Sequence, residues 1–149
     1  MSTAMAPFRD HHEGLAHRAW HHSPVLRALA AATVAFVFYA IWGAWVNRSH
    51  GAESMLLAGL TQGIYSALVT LAMTSVIELF FAGAGAVRTR QFRCVTVTIG
   101  LLFVSSVLVH VVAGTAEIVM TVLPSWVFGT AYAIAYAHGL ARAARRSDI

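Results

Sequence analysis

The pattern of hydrophobic and polar positions divides the chain into four long apolar segments joined by short polar stretches. The apolar segments cover about residues 24–46, 55–82, 94–113 and 116–138. Because a helix of about 20 residues crosses the hydrocarbon core of a bilayer, each segment is long enough to span a membrane. Ser23 and Pro24 are typical of a helix start. No small-residue cleavage site follows the first apolar run, so we expect a membrane helix there and not a signal peptide.

The second apolar segment carries a stripe of small and polar residues at steps of three or four. Such spacing places all of them on one face of a helix. The stripe comprises Gly59, Gly63, Ala67, Thr70, Thr74 and Glu78. Lipid does not suit such a face, so we expect another helix to cover it.

Composition supports a membrane protein over a soluble one. The 149 residues are 58% hydrophobic and only 11% charged, with a mean hydropathy of +0.69, which is too little charge for a soluble domain of this size. The predicted fold class is an all-α membrane protein, a four-transmembrane-helix antiparallel bundle in contact with the lipid bilayer. The single cysteine, Cys94, excludes an intrachain disulfide.

Arginine placement predicts the orientation of the bundle. All ten basic residues are arginine, and nine of them fall on the side that carries both chain ends. Only Arg48 falls on the other side, so the positive-inside rule predicts both termini in the cytoplasm. The use of arginine without lysine, together with the high alanine content, indicates a bacterial protein, so we expect the bundle in an inner membrane. Topology thus explains the basic character, and we expect no nucleic-acid partner. The nine are Arg9, Arg18, Arg27, Arg88, Arg90, Arg93, Arg142, Arg145 and Arg146.

The predicted organisation has three parts. Residues 1–22 form a cytoplasmic His-rich N-terminal segment, 23–140 the four-helix transmembrane domain, and 141–149 a basic cytoplasmic tail. The connection between the second and third spans is expected to be a loop that carries Arg88, Arg90 and Arg93.

Polar residues of all four spans fall at one depth. At about 1.5 Å per residue, they lie about a third of the way in from the outer surface. A polar pocket open to the outside is one interpretation. The other is that serine bonds its own helix while glutamine joins neighbouring helices. The candidate pocket comprises Tyr39, Gln62, Ser105, Ser106, His110, Glu117 and Ser125.

Two further features belong to the second span. Gly59, Gly63 and Ala67 form a predicted helix-packing seam, against either a helix of the same chain or a second copy. Glu78 is an intramembrane carboxylate about one turn from the inner end of its helix. We expect it to pair with Arg27 or with an arginine of the inner loop; the alternative is a proton- or cation-coupled carboxylate in a transport path.

The remaining motifs give no catalytic or cofactor site. His17 and His21 share a helical face with Asp10 and Glu13, but their spacing matches no tetrahedral metal site, so they are only weak candidates for metal ligands. His110 and His138 lie about 30 Å apart along the membrane normal, too far to ligate one haem iron. No nucleophile elbow, phosphate loop or zinc-protease helix is present. We therefore expect no cofactor and no enzymatic activity.

The predicted function is binding. The chain would act either as an accessory subunit, beside a membrane-protein partner or a second copy of itself, or as a small transporter or flippase for a lipid-like or amphipathic solute. The alternative is a purely structural or assembly partner of a larger membrane complex. The four-span plan is similar to that of small multidrug transporters, although here the carboxylate is in the second helix and not the first. That similarity is architectural and implies no function.

Overall fold

The computed structural model describes residues 24–147, and these form four long helices. They are α1 (Pro24–Val46), α2 (Ala52–Phe81), α3 (Val87–Val112) and α4 (Ile118–Ser147), with one 3-10 turn at Arg48–His50. Each helix is long and apolar enough to cross a membrane, which confirms the predicted fold class. The predictions for His17, His21 and the rest of residues 1–23 lie outside the described residues.

Consecutive helices are neighbours around the bundle, and α4 returns to contact α1. Helices α2 and α4 also meet across the centre, whereas the described residues of α1 and α3 make no contact. We call the end with the 47–51 and 113–117 connections the distal end. The end with the 82–86 connection, where α1 begins and α4 finishes, is the terminal end.

The arginines expected in a loop are helical, because α3 begins at Val87 and not near residue 94. Two of the three, Arg90 and Arg93, bond back to the end of α2. Arg90 Nε donates to the carbonyl of Phe81 at 2.7 Å, and Arg93 donates to that of Phe80 through Nε at 3.2 Å and Nη2 at 3.1 Å. A cation at a helix C-terminus satisfies free carbonyls and complements the dipole. The connection therefore shortens to residues 82–86, and α4 extends to Ser147.

The small-residue seam of α2 lies against α1. A Cβ added at Gly59 would lie 2.8 Å from the carbonyl oxygen of Ala40, and one at Gly63 would lie 2.9 Å from that of Phe36. Helix α1 contributes Gly43, where a Cβ would lie 3.0 Å from the carbonyl of Ala58. The two backbones thus approach closely within one chain, as small residues on both helices allow.

The apolar core lies on the other side of α2, among α2, α3 and α4. Three alanines of α4 at steps of four let this helix approach closely, while the outward faces of all four helices present large apolar side chains. The core residues are Tyr65, Met73, Ile77, Phe81, Cys94, Leu102, Ala133, Ala137 and Ala141.

Candidate functional site

A buried chain of hydrogen bonds joins three helices near the distal end; we call it the distal network, and it comprises Gln62, His110, Thr115 and Ser125. His110 Nε2 of α3 lies 2.6 Å from Gln62 Oε1 of α2, and Gln62 Nε2 lies 2.6 Å from Ser125 Oγ of α4. On its other side, His110 Nδ1 lies 2.8 Å from Thr115 Oγ1. Gln62 and His110 are both 0% exposed.

The chemistry of the distal network assigns a donor and an acceptor to each of its hydrogen bonds. The amide oxygen of Gln62 only accepts, so His110 Nε2 carries the proton and donates it. Nδ1 of the neutral ring then accepts from the Thr115 hydroxyl. Ser125 accepts from the Gln62 amide and donates to the carbonyl of Val122 at 3.1 Å. An uncharged chain whose groups are all paired is stable in a low-dielectric interior, where an unpaired group would be costly.

Asn47 forms a second buried junction, between the end of α1 and the start of α4. Its Nδ2 donates to the carbonyl of Gly43 and to Thr121 Oγ1, both at 2.9 Å. Its Oδ1 accepts the backbone N–H of Glu117 at 3.0 Å, one of the orphan donors at a helix N-terminus. Asn47 is 0% exposed. Asn47 was not among the predicted site residues; the signal available in the sequence was an amide directly after an apolar helix.

The predicted pocket residues do not form one group. Gln62, His110 and Ser125 meet, but Glu117 lies at the surface and pairs with His50 at 3.1 Å, their side chains being 48% and 40% exposed. Tyr39 packs edge-on against Phe38 and takes no part in the distal network.

The two serines of α3 bond elsewhere. Ser105 Oγ donates to the carbonyl of Leu101 at 2.5 Å and lies 2.8 Å from the hydroxyl of Tyr65. Ser106 accepts the indole N–H of Trp126 at 2.7 Å. The pocket open to the outside is therefore a wrong prediction for this structure, because the side chains of Gln62 and His110 fill the space and leave no accessible surface. Thr115, which completes the network, was missed because it lies in a turn.

A second polar group lies between α2 and α4 near the terminal end; we call it the Glu78 cluster, and it comprises Thr74, Glu78, Tyr132 and Tyr136. Tyr136 donates its hydroxyl to Glu78 Oε1 at 2.6 Å, and Thr74 Oγ1 lies 2.8 Å from the Tyr132 hydroxyl. The two tyrosine rings stack with centroids 5.7 Å apart. Steps of four on both helices produce this ladder.

The expected ion pair of Glu78 with an arginine of the inner loop is wrong; its pairing with Arg27 stays a prediction. The carboxylate is held by Tyr136, while Arg90 and Arg93 bond backbone carbonyls of α2. The reason is geometric: the arginines of α3 meet the end of α2, and Glu78 lies one turn further back along that helix.

The Glu78 cluster faces out of the bundle. It shares the face of α2 that carries Gly59 and Gly63 and that α1 covers in the distal half. The described hydrogen bonds between α1 and α4 come from Trp42 and Asn47, both near the distal end. In the terminal half Glu78 is exposed and Tyr132 is 43% exposed. These polar groups therefore lie on an outer face of the described helices.

Within residues 24–147, no three histidine, cysteine or acidic side chains come together in an arrangement that could hold a metal ion. The chain matches no protein-family model, no curated protein and no solved structure. Its function is therefore argued from the chemistry of its own side chains.

Proposed function

We propose that this small integral membrane protein acts by binding an amphipathic, lipid-like solute rather than by catalysis, and that the Glu78 cluster is the binding site. The observation that carries the proposal is an exposed carboxylate beside two tyrosine hydroxyls within a membrane-spanning helix pair. Polar and ionisable groups at membrane depth are costly and typically mark a substrate or ion site.

The surroundings of the cluster define the class of solute. Glu78 accepts hydrogen bonds and attracts a positive headgroup, and the rings of Tyr132 and Tyr136 offer aromatic faces to a cation. Leu71 and Leu79 beside them are 42% and 71% exposed and offer apolar contact for a tail. A lipid-like molecule with an ammonium or hydroxyl headgroup has this combination.

Two uses of such a site fit the proposal. As a transporter or flippase, the protein would move the headgroup along the face between α1 and α4, where the described hydrogen bonds between these helices are confined to the distal end. As an accessory subunit, it would hold the solute for a partner. The closed distal network, which ties α2, α3 and α4 together, would act as the fixed part in both.

The test uses purified protein reconstituted in vesicles with acyl-labelled fluorescent phosphatidylethanolamine, whose headgroup ends in an ammonium group. We expect Glu78→Gln to lower both binding and scrambling of this lipid at least about tenfold, equivalent to about 1.4 kcal/mol. The amide still accepts from Tyr136, so the fold should persist. Glu53→Gln is the matched control, because Glu53 is exposed at the distal end. Equal activity of Glu78→Gln and the unchanged protein would reduce the cluster to a packing contact.

Gln62→Ala separates a transport pathway from a fixed scaffold. If solute passes through the distal network, this variant abolishes scrambling while insertion remains intact. If the distal network only holds the helices together, Gln62→Ala lowers the stability of the protein, and scrambling per folded molecule is retained.

The alternative function is a structural or assembly partner of a larger membrane complex. The observation in its favour is the same exposed face, because a helix of another protein could cover Glu78 and Tyr132. A photocrosslinking residue at position 132 distinguishes the two. Crosslinks to lipid support solute binding, and crosslinks to one protein chain, found by mass spectrometry after purification in mild detergent, support assembly. Position 103 is the control, because Phe103 is 49% exposed on α3.

We also propose that both termini face the cytoplasm and that the protein resides in a bacterial inner membrane. Seven of the eight described arginines lie at the terminal end, and Arg9 and Arg18 precede α1 in the sequence, which supports this orientation. A membrane-impermeant maleimide should label Ser49→Cys in intact spheroplasts and Arg145→Cys only after lysis. The native Cys94 is buried and provides an unlabelled background. Labelling in the reverse order would contradict the orientation.

A further inference from the structure

Arg88 stands apart from the other arginines of α3. Whereas Arg90 and Arg93 bond carbonyls of α2, Arg88 is exposed and forms no ion pair within the described part of the chain. It borders a groove of about 270 Å³ between α3 and α4, which we call the arginine groove. Its lining residues are Arg88, Gln91, Phe92, Val95 and Ile134.

The arginine groove is polar at one end and apolar along its length. Arg88 lies in the first turn of α3, and Gln91 Nε2 lies 3.4 Å from His138 Nδ1 of α4. Phe92 and Ile134 are 73% and 49% exposed. With about 1.5 Å per residue along a helix, the groove begins at the level expected for headgroups and extends to Val95 and Ile134, at the level of the hydrocarbon region.

Charge at this end favours an anion. Helix α4 adds Arg142, Arg145 and Arg146 in its last turns, all exposed. Of the three described acidic residues, Glu53 and Glu117 lie at the distal end, and Glu78 is bonded by Tyr136 between α2 and α4. Among the described residues, the arginine groove thus combines a positive charge that has no acidic partner with an apolar channel.

We infer that the arginine groove binds an anionic phospholipid. The guanidinium of Arg88 would hold the phosphate with paired N–H donors, which suit a phosphate better than a single ammonium does. Gln91 and His138 would supply further hydrogen bonds, and an acyl chain would lie along Phe92, Val95 and Ile134. Basic grooves between membrane helices are recognised sites for anionic headgroups. This inference is independent of the solute proposed for the Glu78 cluster, which lies on a different pair of helices.

The test measures lipid retained by the full-length protein. Protein from nanodiscs of equal parts phosphatidylglycerol and phosphatidylcholine is transferred to mild detergent and weighed by native mass spectrometry. We expect preferential retention of phosphatidylglycerol, reduced about fivefold by Arg88→Gln. Arg48→Gln, at the distal end, is the charge-matched control and should leave retention unchanged. Excess inorganic phosphate should not displace the lipid, because the acyl chain contributes to binding.

A second variant tests the groove itself. Ile134→Trp fills the apolar part while all arginines remain, and we expect it to lower phosphatidylglycerol retention. Thermal unfolding of each variant checks that the fold is kept. Retention that falls equally in Arg88→Gln and Arg48→Gln, or that is unchanged in both Arg88→Gln and Ile134→Trp, would overturn the inference and leave only general attraction to a basic surface.

Discussion

The indole nitrogen of Trp42 on α1 lies 2.9 Å from the backbone carbonyl oxygen of Met120 on α4 and donates a hydrogen bond to it. This carbonyl would ordinarily accept from the residue four positions on, which is Pro124 and has no N–H. Trp42 therefore supplies the donor that the proline removes. Its position near a span end is typical of an aromatic belt, but its partner is protein.

The pairing of Trp42 with Pro124 predicts a coupled mutational effect. Trp42→Phe should lower the free energy of unfolding in detergent by about 1 kcal/mol, because the carbonyl of Met120 loses its donor. Pro124→Ala restores an N–H within α4. Trp42→Phe should therefore lower the free energy of unfolding less when Pro124→Ala is also present than when Pro124 is retained. Equal costs in the two backgrounds would show that Trp42 acts only through packing.

The seam between α1 and α2 predicts that Gly→Ala affects stability differently at a glycine packed in the seam and at a glycine in open space. Gly59→Ala should lower the free energy of unfolding by about 1–3 kcal/mol, because the new methyl meets the backbone oxygen of Ala40, which has little room to move. Gly100 has nothing within 4 Å of an added Cβ. Gly100→Ala should therefore be neutral or stabilise by up to about 1 kcal/mol through helix propensity. Reversible unfolding in mixed micelles measures both, and similar effects would contradict the seam.

The distal network predicts non-additive losses. Gln62→Leu removes the acceptor of His110 Nε2 and the amide donor to Ser125, and His110→Leu removes the donor to Gln62 Oε1 and the acceptor of the Thr115 hydroxyl. Each change should cost about 1–2 kcal/mol of unfolding free energy. The double variant should cost less than the sum, because the shared bond is lost only once. Ser49→Ala, in the exposed turn, is the control. Strict additivity would indicate that His110 and Gln62 do not interact.

The hydrogen bonds by which Arg93 caps the C-terminus of α2 predict that Arg93 and Arg88 differ in their contribution to stability. Arg93→Gln should lower the free energy of unfolding by about 1 kcal/mol, because the carbonyl of Phe80 loses two charged donors. Gly83→Ala should have a similar effect, since an added Cβ would collide with the Arg93 guanidinium. Arg88→Gln should leave stability unchanged. If Arg88→Gln is equally destabilising, the losses reflect charge at this end rather than the cap.

The positions of the four helices along the chain follow from local properties of the sequence. Length and hydrophobicity of each segment suffice to predict a membrane helix, so the four spans could be predicted with errors mainly at their ends. The start of α3 at Val87 was missed because its arginines look like loop residues until the C-terminus of α2 is placed beside them. Periodicity also predicted the stripe of α2, because the face that a residue occupies depends only on helical spacing.

Which polar groups meet depends on how the helices pack in three dimensions. Depth alone placed Tyr39, Gln62, Ser105 and Ser125 at one level, but depth does not give the rotation of a helix about its axis. That rotation is set by packing: α1 docks on the seam and never reaches α3, and Ser105 bonds Tyr65. Packing likewise places Tyr136 beside Glu78, and not an arginine of the inner loop. Hydrophobicity and residue spacing are local properties, and they specify four membrane-length helices with small or polar faces. Three-dimensional packing specifies which of these faces lie against one another.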